Sequence, residues 1–152
     1  ELKELIPGSE HWPKLERNNS NRFEARMVQV KINKSNSNFF RGMEGSQLLV
    51  PVNHGEGKMI FPEHVSAKKI ICDNLAPIQF CTNKGIEAEE FPENPNGSIH
   101  GITAVTNEDG RFLIMMPHPE RSFLNNQLSW TNEKGKHSPW YKLFLNARNF
   151  YS

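Results

Sequence analysis

A chain of 152 residues with 36% hydrophobic and 23% charged residues has the size and composition of one soluble globular domain. Eighteen Lys and Arg against seventeen Asp and Glu leave a formal charge of +1, which excludes the strong positive field that recruits nucleic acid or an anionic membrane. Apolar runs such as residues 112–117 are far shorter than the roughly 18–20 residues of a membrane helix, no secretory signal opens the chain, and two cysteines, Cys72 and Cys81, are too few for a disulfide framework and too isolated for a zinc site. A cytoplasmic protein that acts on a small molecule is the expectation.

The chain opens on Glu rather than Met, and residues 1–6 read as the last turns of an amphipathic helix, with Leu2, Leu5 and Ile6 on one face and Pro7-Gly8 as its stop. No Ser, Thr, Asp or Asn cap precedes it, so a longer polypeptide is expected to extend upstream. Residues 23–32 contain a period-two stretch, Met27 and Gln29 against Val28, Val30 and Ile32, and predict a strand that ends in the Asn- and Ser-rich residues 33–38. Residues 47–52 form a short, nearly continuous apolar strand leading into Asn53-His54-Gly55-Glu56-Gly57. The two glycines there allow close backbone approach, and open α/β sheets place ligands in loops at strand ends.

Residues 62–74, with Pro62 near the start and Val65, Ile70 and Ile71 within, suit a helix. Residues 76–81 then read as a buried strand ended by Asn83-Lys84-Gly85. Residues 102–106 and 111–116 flank Asn107-Glu108-Asp109-Gly110, whose Asp-Gly pair supplies hairpin geometry. Residues 139–151 give the clearest helix, with Leu143, Phe144, Ala147 and Phe150 spaced to pack one face. Alternating helices and strands favour an α/β fold, a partial open sheet with flanking helices, over an all-β sandwich.

The sharpest chemistry lies in Met115-Met116-Pro117-His118-Pro119-Glu120-Arg121. Two prolines bracket His118 and restrict the backbone on either side, which holds an imidazole at the end of an apolar strand. Glu120, two residues on, can accept a hydrogen bond from one ring nitrogen and leave the other free as a general base. On spacing alone, the same residues also fit a strand-end histidine beside a Glu120–Arg121 surface ion pair, or two metal ligands. His54, in its glycine-flanked loop, fits a ligand, a base or a loop-shaping hydrogen bond. His11, His64, His100 and His137 have no partner at useful spacing, and Trp12, Trp130 and Trp140 read as core or interdomain anchors.

Met-Met-Pro-His-Pro-Glu-Arg resembles the end of the triad in the Cys-His-Glu family of glutamine amidotransferases, in particular the formylglycinamide ribonucleotide amidotransferases (phosphoribosylformylglycinamidine synthases) of purine biosynthesis. Leu5-Ile6-Pro7-Gly8 with Trp12-Pro13, Arg22-Phe23-Glu24-Ala25-Arg26, His54-Gly55-Glu56-Gly57, Asn94-Pro95-Asn96-Gly97-Ser98, Gly101-Ile102-Thr103, Ser129-Trp130, Pro139-Trp140 and Asn146-Ala147-Arg148 are similar to the same family in order. The Arg-Phe-Glu-Ala-Arg stretch and the Trp-containing C-terminus resemble its large single-chain form.

The resemblance implies that residues 1–152 are the C-terminal portion of one class I glutamine amidotransferase domain, without the N-terminal portion that carries the nucleophile elbow. It implies His118 as the base, Glu120 as its orienter, and Asn53, His54, Gly55 and Glu56 as the loop that binds the glutamine substrate. The family's usual residue at position 53 is Ser, which separates Asn53 from any side-chain role seen there. Neither cysteine sits in an elbow: Cys81 has Gln79 and Asn83 around it rather than small residues, and Cys72 lies within the predicted helix. The chain alone is therefore expected to be inactive as a glutaminase.

No metal or cofactor is expected in this chain, while ATP and magnesium are expected in a synthetase region of the same polypeptide, its implied partner. Two other classes are open on the residues: a non-catalytic interaction module, and a metal-dependent hydrolase built on His54, His118 and Glu120.

Overall fold

The computed structural model describes residues 2–132 and 134–152. Five strands form one sheet in the order β3-β2-β5-β6-β7, comprising β2 (Glu24–Ile32), β3 (Gln47–His54), β5 (Ile78–Phe80), β6 (Ile102–Thr106) and β7 (Leu113–Met115). Every pairing in it is antiparallel. The fold is thus mixed α/β, as the alternation of elements predicts, with a curled open sheet. A separate two-stranded ribbon pairs β1 (Lys14–Glu16) with β4 (Lys58–Ile60). These two strands are three residues each, too short to show a period, and the sequence reading does not anticipate them.

The predicted period-two strand is β2, in which Val28, Val30 and Ile32 are buried while Met27 and Lys31 are exposed. It pairs with β3 from Glu24↔His54 to Lys31↔Gln47. The hairpin of β6 and β7 pairs Thr106 with Leu113 across the Asn-Glu-Asp-Gly turn. Gly110 there stands at φ +72, and a Cβ on it would lie 1.9 Å from the Asn36 carbonyl oxygen, so only glycine fits.

The helices are shorter than the sequence predicts. Helix α1 is Ala67–Cys72; residues 62–66 form a turn closed by Val65 N–H donating to Pro62 O at 2.8 Å. Asn74 at φ +60 ends the segment, a left-handed position that Asn tolerates. Helix α2 is Tyr141–Tyr151, with Trp140 buried at its start and its indole N–H donating to Leu49 O at 2.8 Å. At the other end of the chain, Leu2–Leu5 is a single 3-10 turn with Leu5 78% exposed, so the amphipathic α-helix expected there is not formed; Glu1 lies outside the described residues.

Two buried clusters hold these elements. Val28, Val30, Val50, Val52, Ile78, Phe80 and Ala104 pack with Trp140 and Leu143 of α2. Trp12, Met59, Leu75 and Val105 pack with Ala67 and Ile70 of α1. Ala104 and Val105 are neighbours on β6 and face opposite ways, so the sheet is covered on both sides there. This accounts for the burial of every residue of β6, its two threonines included. The sheet also curls. His118, just past β7 at one edge, donates its backbone N–H to Pro51 O of β3, the opposite edge strand, at 2.8 Å.

Candidate active site

The catalytic candidate is built where those two edges meet. Pro117 and Pro119 are buried on either side of His118, and residues 119–121 form a 3-10 turn in which Arg121 N–H returns to His118 O at 3.0 Å. The turn swings Glu120 back toward the ring. His118 Nδ1 and Glu120 Oε1 are 2.7 Å apart, the length of a charge-assisted hydrogen bond. Arg121 is not the ion-pair partner of Glu120 among the described residues; His118 is. The carboxylate thus fixes the tautomer with the proton on Nδ1 and directs Nε2 outward, free of any described partner. The two side chains are 35% and 54% exposed, so the pair lies at the surface, open to substrate.

Near it is the end of β3, which runs two residues beyond the expected 47–52 and so takes Asn53 and His54 into the sheet, with the loop at residues 55–57 after it. His54 is 6% exposed, and its Nδ1 lies 3.2 Å from Asn18 Oδ1. Its Nε2 is buried without a hydrogen-bond partner among the described residues. Burial holds the His54 imidazole below its ordinary 6.5; the nearby His118 pushes the same way, while its own backbone and Glu24 oppose. A neutral His54 beside His118 follows. Gly57 packs flat on the ring, since a Cβ there would lie 2.4 Å from His54 Cε1.

Of the other predicted substrate-binding residues, Asn53 is a half-buried strand residue opposite Ala25 in the ladder, with no side-chain hydrogen bond among the described residues. Gly55 O accepts from Asn18 N–H at 3.0 Å. Glu56 is exposed and only 4.0 Å from Arg17 across solvent, an ion pair worth little. The structure therefore brings His118 and Glu120 into contact and sets His54 near them, whereas Asn53, its neighbour on β3, faces the other side of the sheet and Glu56 is exposed.

It does not gather a thiol. Cys81 is buried, and burial pushes its thiol up, away from the nucleophilic thiolate. Cys72 is exposed at the end of α1. Nor do His54, His118 and Glu120 form a metal-binding group; among the described residues the group with compatible spacing is Glu87, Glu89 and His100. A cleft of about 780 Å³ lined by Arg22, Phe23, Glu24, Glu90, Phe91 and Asn94 includes neither His118 nor Glu120. The hydrogen-bonded pair therefore lies outside that cleft.

Residues 1–151 match the family described as the CobB/CobQ-like glutamine amidotransferase domain. The chain belongs to that family. Its fold is similar to a solved structure described as PurLQS from Thermotoga maritima, at a TM-score of 0.65 and 22% identity, with 92% of this chain and 53% of that chain covered. The chain thus spans about half the length of that protein.

The sequence reads Asn94–Ser98 as a turn packed near the site, which the structure bears out, but it does not single out Asn18 as a support of this amidotransferase domain's loop. Asn18, 1% exposed, donates from Nδ2 to His54 O at 2.8 Å and to Arg22 O at 2.9 Å, and its Oδ1 accepts from Gly57 N–H at 3.1 Å. Asn96 Nδ2 donates to Gly57 O at 2.8 Å, and Ser98 Oγ accepts from Met59 N–H at 2.9 Å. The Asn94–Ser98 segment of the amidotransferase domain is therefore a brace beneath residues 54–59. The one signal in the sequence is the density of Asn and Gly there.

Proposed function

We propose that this domain supplies the general base and its orienting carboxylate for glutamine hydrolysis, and that the ammonia released serves ATP-dependent amidation of formylglycinamide ribonucleotide. The observation that carries the reading is the His118–Glu120 hydrogen bond at 2.7 Å with Nε2 left free. In this mechanism Nε2 takes the proton of a cysteine thiol, and the thiolate attacks the side-chain amide carbon of glutamine. The C–N bond breaks as His118 returns the proton to the departing amine. The thioester is then hydrolysed by a water that His118 deprotonates, releasing glutamate and the thiol.

The sequence holds two cysteines, Cys72 and Cys81, and neither has the setting of a nucleophile, so the thiol in this reading comes from polypeptide outside residues 1–152. Residues 53–56 bind glutamine through their backbone groups. A synthetase region carrying ATP and magnesium consumes the ammonia, and a role in purine biosynthesis puts the enzyme in the cytoplasm. Consistent with that, no helix among the described residues is long and apolar enough to cross a membrane.

The test is His118→Ala in the full-length enzyme. Glutamine-dependent synthesis is lost while synthesis from added ammonia persists, because ammonia bypasses the thioester. Equal loss of both activities contradicts the assignment.

A further inference from the structure

We propose that Glu87, Glu89 and His100 form a binding site for a divalent transition metal, of which Zn²⁺ is the best fit. One ligand atom from each lies within 4.8 Å of the other two. Glu87 and Glu89 flank Ala88, whose side chain is buried. Their backbone is pinned to the sheet through the Cys81↔Glu87 bridge and through Ala88 N–H donating to Phe80 O at 3.0 Å. His100 reaches them from the turn before β6 and places Nδ1 2.7 Å from Glu87 Oε1.

The supporting shell of such a site is also in place. Gln79, 8% exposed, donates from Nε2 to the other Glu87 oxygen at 3.3 Å and to the His100 carbonyl at 2.6 Å. A buried amide therefore orients both the carboxylate and the histidine backbone, as outer-shell partners do in metal sites.

The distances suit a small ion. Bonds of about 2.0–2.2 Å to N and O ligands put neighbouring ligand atoms roughly 3.3–3.5 Å apart in a tetrahedron. The Glu87–His100 contact opens by under about 1 Å to admit the ion, and Glu89 closes the third side, leaving the fourth position for water. One imidazole with two carboxylates favours zinc over calcium or magnesium, which take all-oxygen shells. Access is open: the His100 and Glu87 side chains are 21% and 33% exposed. A cavity of about 610 Å³ lined by Glu87, Glu89, Glu90 and Glu93 adjoins them and concentrates cations.

The ion's role would be structural. Asn94 Nδ2 donates to Ala88 O at 3.1 Å and to Ser98 O at 2.8 Å, so an ion on Glu87, Glu89 and His100 clamps the base of the segment that braces residues 54–59. The site stands independently of the glutaminase reading.

The experiment is calorimetric titration of Zn²⁺ into chelator-stripped protein, with thermal unfolding measured in parallel. One ion per chain binds, and at about a hundredfold excess over Kd the midpoint rises by about 5–10 °C. Glu89→Gln weakens binding at least tenfold; its side chain is exposed and makes no other hydrogen bond among the described residues, so the variant folds. His100→Asn does the same, whereas His118→Ala binds as the parent does. Absence of stoichiometric binding at micromolar Zn²⁺, or binding that survives Glu89→Gln and His100→Asn but is lost in His118→Ala, overturns the proposal.

Discussion

Asn18→Ala is the most informative perturbation of the scaffold. The Asn18 side chain joins two carbonyls, one backbone N–H and one imidazole nitrogen, drawn from Arg22, His54 and Gly57. Three of these contacts are fully buried. Each hydrogen bond is worth about 1 kcal/mol net, but a buried group left unpaired costs about 1–3 kcal/mol. Water entering the vacated space recovers part of this, so the expected loss is about 3–5 kcal/mol, high for a single substitution. At roughly 2–4 °C per kcal/mol for a domain of this size, the melting midpoint falls by about 6–20 °C. Urea unfolding should show a lower midpoint at unchanged slope. Asn18→Asp keeps the acceptor for Gly57 and His54 but turns a carboxylate oxygen toward the His54 and Arg22 carbonyls. It should destabilise as well, and the negative charge should raise the proton affinity of His54, read from the ring resonances by NMR. A change under about 1 kcal/mol in the Ala variant would refute the view that Asn18 organises the loop.

Three further outcomes are expected. His54, held below 6.5 by burial, is neutral when folded, so between 6.5 and its lower native value the unfolded chain binds the extra proton. Its contribution is complete above about pH 6.5 and is lost as pH falls below it, at up to about 1.4 kcal/mol per pH unit; urea unfolding across pH 5.5–7.5 should show that slope, and His54→Gln should flatten it. Gly110→Ala sets a Cβ against the Asn36 carbonyl at a φ of +72 and should cost more than about 2 kcal/mol; a thermal midpoint like the parent's would contradict the turn geometry. Glu120→Gln keeps the hydrogen bond but removes the charge that stabilises the imidazolium. Glutaminase activity in the intact enzyme should fall less than in His118→Ala, and by less than the roughly 10⁴-fold seen for an orienting carboxylate in a serine triad, because Glu120 is 54% exposed. A rate equal to the parent's would remove Glu120 from the site.

Local rules reach the elements whose signals are local. The alternation of β2, the Asp-Gly hairpin of β6 and β7, the apolar face of α2 and the Pro-His-Pro-Glu turn are each determined within about a dozen residues, where side-chain period and proline restriction act. The pairing of His118 with Glu120 belongs to this class, because a two-residue spacing on a 3-10 turn is enough to close it. Tertiary structure alone decided the rest. The antiparallel order β3-β2-β5-β6-β7 and the curl that joins His118 to Pro51 depend on burying two apolar clusters at once. Asn18, Asn96 and Ser98 look like surface or turn residues in the sequence. They became interior because partners 36 to 39 residues away offer the backbone groups that they satisfy. Glu87 and His100 met for the same reason, across a 13-residue excursion with no periodic signal. A buried polar residue is stable only when its partner is present, and the partner's position is set by the whole fold, not by the residues beside it in the chain.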